Sequence, residues 1–448
     1  MLRSLQVRQQ LVKFSQQCYT TQAVAATSGS STKLSVLPSG LRVASTNENA
    51  PVAQLALLVN SGSRDESQSN LGITHCLQCT AGLTGSRNTA FLTTQLLSSL
   101  GADLQVTAGR EHTLYSVRCN PHDAQKVFTD VVAPTILGAK FPWYEINDVT
   151  SRMKYQKAVA TSDPCFTLME TAHKASFKGS LSNSVMSPDF MIGHHTSEML
   201  QAKFNASYNL SNMVLSGSGV SHDGLIDIGS ACNGAEGSAT QRAASQFIGG
   251  EVHVGDPTPL VHAALTFEGV ALNDKDAVAL SVLQYALGVT GNIRRGSGLN
   301  HGSLNPAVEK STDGVFSTNA FSVNYSDTGL FGIYVVSPQE SINAVLQAVS
   351  AECKKVASNG LSDAAVNGAK ERFKAAVLMN AECMSKTVQD MAVQSSVLGT
   401  IASPSSIVAL IDGVSAADVA GVARRVLTGK RGLATVGRGS DGPFLRDL

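Results

Sequence analysis

The sequence has 448 residues, 43% of them hydrophobic, and its 34 Lys and Arg balance 34 Asp and Glu for a formal net charge of zero. That length fits about two to three domains at roughly 150 residues each, and the neutral balance gives no electrostatic footing for nucleic acid. Aliphatic runs such as Leu55-Ala56-Leu57-Leu58-Val59 are far short of the ~20 residues a membrane-spanning helix needs, so membrane contact is expected only through partners.

No Asp or Glu precedes Glu48, while Arg3, Arg8, Lys13 and Lys33 stand among many Ser, Thr and Gln. A basic, hydroxyl-rich, acid-poor start is the composition of a mitochondrial transit peptide. Residues 1–31 are read as that leader, with cleavage between Gln17 and Ser31. Composition carries this reading, because Leu2, Leu5 and Val12 fall on one side of a helical wheel and Val7, Leu11 and Phe14 on the other. The eight cysteines are scattered through the chain. They form no small-scaffold disulfide pattern and read as reduced thiols in a reducing compartment.

After the leader, Leu34–Leu37 and Leu41–Ser45 read as strands around the turn Pro38-Ser39-Gly40. Val52–Val59 is a near-continuous apolar strand, and a polar loop leads from it into a helix that opens near Gly72. Thr89–Leu100 has helical spacing. Leu104–Ala108 and Leu114–Arg118 alternate as a hairpin around Gly109–His112. Helices follow at Asp123–Val132, Glu145–Val159, Phe166–Ser176 and Ser197–Phe204, and Met213–Gly217 is a closing strand. Gly229–Gly250, rich in Gly, Ala, Ser and Gln, reads as a linker.

The pattern then starts again. Thr258–Leu265 mirrors Ala50–Leu57, a helix covers Asp274–Leu287, Phe316–Tyr325 and Gly329–Val335 form a hairpin, and Leu433–Gly437 closes. Pro51 to Pro259 is a shift of 208 and Gly217 to Gly437 a shift of 220, the drift expected of two diverged copies. The expected fold is therefore α/β of the α+β type. It has two homologous domains, residues 32–228 and 251–448 around a 229–250 linker, each a mixed β-sheet with helices packed on it.

The stretch Gly72-Ile73-Thr74-His75-Cys76-Leu77-Gln78-Cys79 lies in the register of H-x-x-E-H. In that motif two histidines four apart share a helix face and hold zinc, and the glutamate takes the proton of metal-bound water. Here only His75 keeps its usual residue. Gln78 stands at the base position and cannot accept a proton at ordinary pH, and Cys79 stands at the second histidine position. Cys79 is a permissible zinc ligand, but no third or fourth ligand is visible. Cys76-Leu77-Gln78-Cys79 is also a lone C-x-x-C, a weak redox signal without a second pair or the rest of a thioredoxin-like pattern. His194, His195 and His301 have no ligand-spaced neighbours and read as solvated loop histidines.

The duplicated α/β halves with this motif register resemble the pitrilysin and mitochondrial processing-peptidase family. Ser187–Gly193, Gly219–His222, Leu283–Gly288 and Phe321–Tyr334 carry the resemblance in detail, and it covers residues 33–448. It implies two domains facing each other as a clamshell. It also implies a third metal ligand, a glutamate some 75 residues beyond the motif. From Thr150 to Thr161 there is no acid: Arg152, Met153, Lys154, Tyr155 and Gln156 hold the expected positions, with Glu145 and Asp148 earlier by a turn or two. His75, Gln78 and Cys79 are therefore expected to be vestigial, with no catalytic residue, metal or cofactor in this chain.

Within the family, the resemblance is to the non-catalytic members built into the mitochondrial ubiquinol–cytochrome c reductase. It implies a structural subunit paired with a core protein 1-like partner, alongside cytochrome b, cytochrome c-one and the Rieske protein, in a dimeric complex on the matrix side of the inner membrane. The alternative is the non-catalytic, substrate-handling subunit of the matrix processing peptidase. That subunit carries a dense glycine run where this chain has Gly288–Gly302, interrupted by Asn292, Ile293, Arg294 and Arg295.

Overall fold

A computed structural model of the chain describes residues 32–46, 50–232, 234–235, 237, 242–289, 302–312, 314–438 and 443–448. The expected leader, the interior of the glycine-bearing loop and His301 lie outside them. Two sheets dominate. The first contains β1 (Lys33–Val36), β2 (Arg42–Thr46), β3 (Ala53–Val59), β4 (Asp103–Ala108), β5 (Thr113–Cys119) and β7 (Met213–Ser218), in the order β1-β2-β7-β3-β5-β4. The second contains β9 (Glu251–Gly255), β10 (Leu260–Glu268), β11 (Ser317–Asn324), β12 (Gly329–Pro338) and β13 (Arg431–Gly437), in the order β9-β13-β10-β12-β11. Two short strands, β6 (Phe177–Lys178) and β8 (Gln246–Phe247), pair separately. Apart from β1, the two orders are the same. Each sheet is mixed, with one parallel pair, β2 with β7 and β9 with β13.

The duplication extends to register. Ala56 on β3 faces Ser116 on one side and Ser216 on the other. Ala264 on β10 faces Tyr334 and Ala434. The counterpart of Ser216 is thus Ala434, a shift of 218, so Gly217 does not correspond to Gly437 as the sequence pattern had it. Gly219 does. Both glycines have positive φ, +81° just after β7 and +144° at the end of β13, where a Cβ on Gly219 would meet Val52 and Ala53 and one on Gly437 would meet Leu260 and Val261. Only glycine fits a left-handed backbone this close to a neighbouring strand.

β3 is buried along its whole length, as its apolar run requires. Helices of the first half pack on its sheet around Leu55, Leu57, Phe128 and Leu215, and the second half has an equivalent core around Leu265, Leu283, Phe331 and Val345. A helical segment through Pro134 is π-helical over Val127–Val132. Pro134 has no N–H for the Asp130 carbonyl, and Asn88 Nδ2 donates to that oxygen instead at 2.7 Å.

The other face of each sheet is covered by a helix from the opposite half. The helix Pro164–Ser176 lies on the second sheet, with Leu168 and Ala172 packed against Ala264, Ala434 and Val436. The helix Met384–Val397 lies on the first, with Val388, Met391 and Ala392 packed against Ala56, Leu58 and Val214. Leu168 and Val388, like Ala172 and Ala392, occupy corresponding places 220 residues apart, so the exchange is reciprocal. The sheets fall within the expected spans, 32–228 and 251–448, but the packing units cross that boundary. The joining segment itself makes contacts: β8 pairs with β6, and Arg242 is bonded into the first half.

Candidate functional site

The motif helix spans Ile73–Thr80. Eight residues are too few for a stable isolated helix, and packing holds this one: every residue except Gln78 is buried. Its N-terminus starts at Gly72, φ +79°, where a Cβ would overlap Ser187. The Glu66 carboxylate accepts from Gly72 N at 2.7 Å and Thr74 N at 2.9 Å, supplying the acceptor that glycine as N-cap lacks. The glutamate near the motif is thus spent on capping.

The helix Trp143–Thr161 crosses the motif helix and brings one side chain to it. Gln156 Oε1 lies 3.2 Å from His75 Nε2 and accepts from Cys79 Sγ at 3.0 Å. On the other side of the ring, Ser187 N donates to His75 Nδ1 at 3.3 Å. Because Nδ1 accepts, Nε2 carries the proton and donates to Gln156. His75 is fully buried. Burial, outweighing its bond to Gln156, pushes its pKa down to about 4, and Arg152 and Lys157 work in the same direction. Neutral imidazole is the form a metal needs, but here its Nε2 lone pair is replaced by an N–H.

Of the five residues Arg152 to Gln156 at the expected distal position, Gln156 is the one whose side chain accepts from Cys79 and bonds to His75. His75 and Cys79, at the two motif positions, are thus joined through the Gln156 amide oxygen. Among the described residues no three His, Cys, Asp or Glu are placed to hold a metal ion. Glu145, about three turns before Gln156 on the same helix, accepts instead from Thr84 Oγ1 at 2.5 Å and Thr84 N at 3.1 Å. Gln78 Nε2 donates to Val106 O at 3.1 Å, tying the helix to the edge strand β4.

Burial raises the Cys76 and Cys79 thiols to about 12. A thiol that keeps its proton through the neutral range is a poor nucleophile and a poor redox centre. His195 departs from its reading as a solvated histidine. It is buried, and its Nε2 donates to Leu71 O at 3.1 Å, because the loop that carries it folds under the motif helix. His194 is exposed.

The second half contains the same construction without the ligand side chains. Leu77-Gln78 recurs as Leu283-Gln284 in the helix Ala277–Leu287. Gln284 Nε2 donates to Ala320 O of the edge strand β11 at 3.0 Å, as Gln78 does to β4. Arg152 Nη1 donates to Cys79 O at 3.0 Å, and Arg372 Nη2 donates to Tyr285 O at 3.1 Å. At the place of His75 stands Ser281, at that of Cys79 Tyr285, and at that of Gln156 Ala376.

The sequence matches the profile described as insulinase (peptidase family M16) over residues 42–189, and that described as the peptidase M16 inactive domain over residues 195–373. The chain belongs to the M16 peptidase family. Among M16 relatives it is 33% identical over 413 residues to the human (Homo sapiens) cytochrome b-c1 complex subunit 2, mitochondrial, covering 92% of this chain and 91% of that one. The mouse (Mus musculus) protein of the same name is also 33% identical over 413 residues, with the same coverage. A probable mitochondrial-processing peptidase subunit alpha-1 of Arabidopsis thaliana is 27% identical over 406 residues, covering 88% of this chain and 80% of that one. The chain is a non-catalytic M16 member. The amide of Gln78 supplies no general base, a loss worth about 10²–10⁴-fold by itself, and His75 and Cys79 are both bonded to Gln156.

Proposed function

We propose that the chain is a non-catalytic structural and assembly subunit of the mitochondrial ubiquinol–cytochrome c reductase. It sits peripherally on the matrix side of the inner membrane, in a dimeric complex. A core protein 1-like subunit is its partner, with cytochrome b, cytochrome c-one and the Rieske protein in the same particle, and it carries no metal or cofactor of its own. The observation that carries this reading is a duplicated M16 fold kept to the level of strand register while His75 and Cys79 are both hydrogen-bonded to Gln156. The 33% identity to the human b-c1 complex subunit 2 along 92% of the chain supports it. No single helix among the described residues is long and apolar enough to cross a membrane, in keeping with attachment through partners. Gentle detergent solubilisation followed by native electrophoresis tests the proposal. The chain is expected to migrate with the haem-bearing subunits, and migration without them refutes it.

The similarity to processing peptidase alpha subunits favours a second reading, the non-catalytic subunit of a matrix processing peptidase. On that reading the purified chain stays soluble without detergent and speeds presequence cleavage by an active partner.

A further inference from the structure

The hairpin turn between β4 and β5 in the first half meets the corresponding turn between β11 and β12 in the second, and the segment joining the halves runs beside both. One guanidinium bonds to all three. Arg64 Nη1 donates to Glu111 Oε1 at 2.5 Å in the first half. Its Nη1 and Nη2 grip the Asp327 carboxylate of the second half at 2.8 and 2.6 Å, and Nη2 also donates to Ala243 O of the joining segment at 2.9 Å. Glu111 reaches across as well, accepting from Ser326 N at 3.0 Å and Ser326 Oγ at 2.6 Å. Ser245 N donates to Asp327 Oδ2 at 2.8 Å. Arg242 completes the junction, forked onto Asp65 at 2.8 and 2.9 Å and donating to Asn60 Oδ1 at 2.9 Å and to Glu111 O at 2.5 Å.

These groups are nearly all out of water. The side chains of Arg64, Glu111 and Arg242 are 1%, 6% and 11% exposed, and that of Asp327 is 27%. Apolar residues would join two surfaces without the desolvation cost of such charges. A forked, charge-assisted cluster supplies direction, because the bidentate bonds form in one relative arrangement only. The exchanged helices already bind each half to the other, so the cluster is not needed for adhesion. It lies where the joining segment leaves the first half and enters the second.

We propose that Arg64, Glu111, Ser326, Asp327 and the segment 242–245 form a clamp at the hinge that holds the two halves at one fixed angle. The M16 fold of this chain is then a rigid body rather than a shell that opens and closes. This goes beyond the assembly role and holds or fails independently of it.

The test uses the full chain with Cys18, Cys165 and Cys383 changed to Ser and spin labels on Arg87→Cys and Lys310→Cys, which are exposed positions in opposite halves. Electron–electron double resonance is expected to give one narrow distance distribution. Arg64→Lys keeps the charge but loses the fork, and Asp327→Asn keeps the shape but loses the charge. Both are expected to broaden the distribution and to raise hydrogen exchange at the Ser245 and Ser326 amides about tenfold or more, through local opening. Lys374→Ala, which breaks a surface pair with Glu371 and Asp412, is expected to do neither. A broad distribution in the unaltered chain overturns the proposal. So does a narrow distribution with unchanged exchange in both clamp variants, or equal broadening by Lys374→Ala.

Discussion

The two motif helices occupy the same place in two sheets of the same strand order, yet only one is lined with ligand-type side chains. Ile73–Thr80 presents His75 and Cys79 to Gln156. Ala277–Leu287 presents Tyr285, whose ring stacks on Phe373 at 5.2 Å between centroids. Both keep the glutamine that ties the helix to an edge strand and the arginine that caps the carbonyl one residue later. The second half therefore separates what the fold needs from what a site needs. Gln78 and Arg152 belong to the first class, because their partners recur where no H-x-x-E-H register exists. His75, Cys79 and Gln156 belong to the second.

The comparison can be broken at several points. The largest effect concerns the exchanged helices. A fragment covering residues 32–228 leaves its own sheet uncovered around Leu58 and Val214, while Leu168 faces water. Each such side chain is worth about 1.5–3 kcal/mol, so neither half alone is expected to unfold cooperatively, whereas the two co-expressed fragments are expected to assemble. Circular dichroism melts of each preparation decide this. Gly72→Ala comes next: a Cβ at φ +79° in contact with Ser187 is expected to cost about 2–4 kcal/mol in denaturant unfolding.

Gln156→Leu leaves the His75 Nε2–H and the Cys79 thiol without an acceptor and should cost about 1–3 kcal/mol. Smallest is the triple change His75→Leu, Cys79→Ala, Gln156→Leu. It removes the polar set together and should cost about 1 kcal/mol, chiefly because Ser187 N loses its acceptor. If the triple is costlier than Gln156→Leu alone, the polar set is structural and the contrast between the helices fails.

The strands, the duplication and the motif register were legible in the sequence because each has a local signal: alternation, turn residues and fixed spacing. Gln156 was visible only as one of five candidates, since helix phase relative to a distant helix is set by packing around Val149 and Met153. The helix exchange left no local trace, because Phe166–Ser176 is amphipathic whichever sheet it covers. The glycine- and serine-rich composition of 229–250 concealed Arg242, whose role depends on Asp65 and Asn60 far away in sequence. The burial of His195 is hidden in the same way: its partner is a backbone carbonyl, Leu71 O, that no spacing rule reports.

We propose as the central claim that hydrogen bonds from His75 and Cys79 to Gln156 stand in this chain where an active M16 member would hold a metal. Elemental analysis of the native protein, purified without chelators, tests it most directly. The account predicts zinc far below one ion per chain, and one tightly held zinc per chain would contradict it.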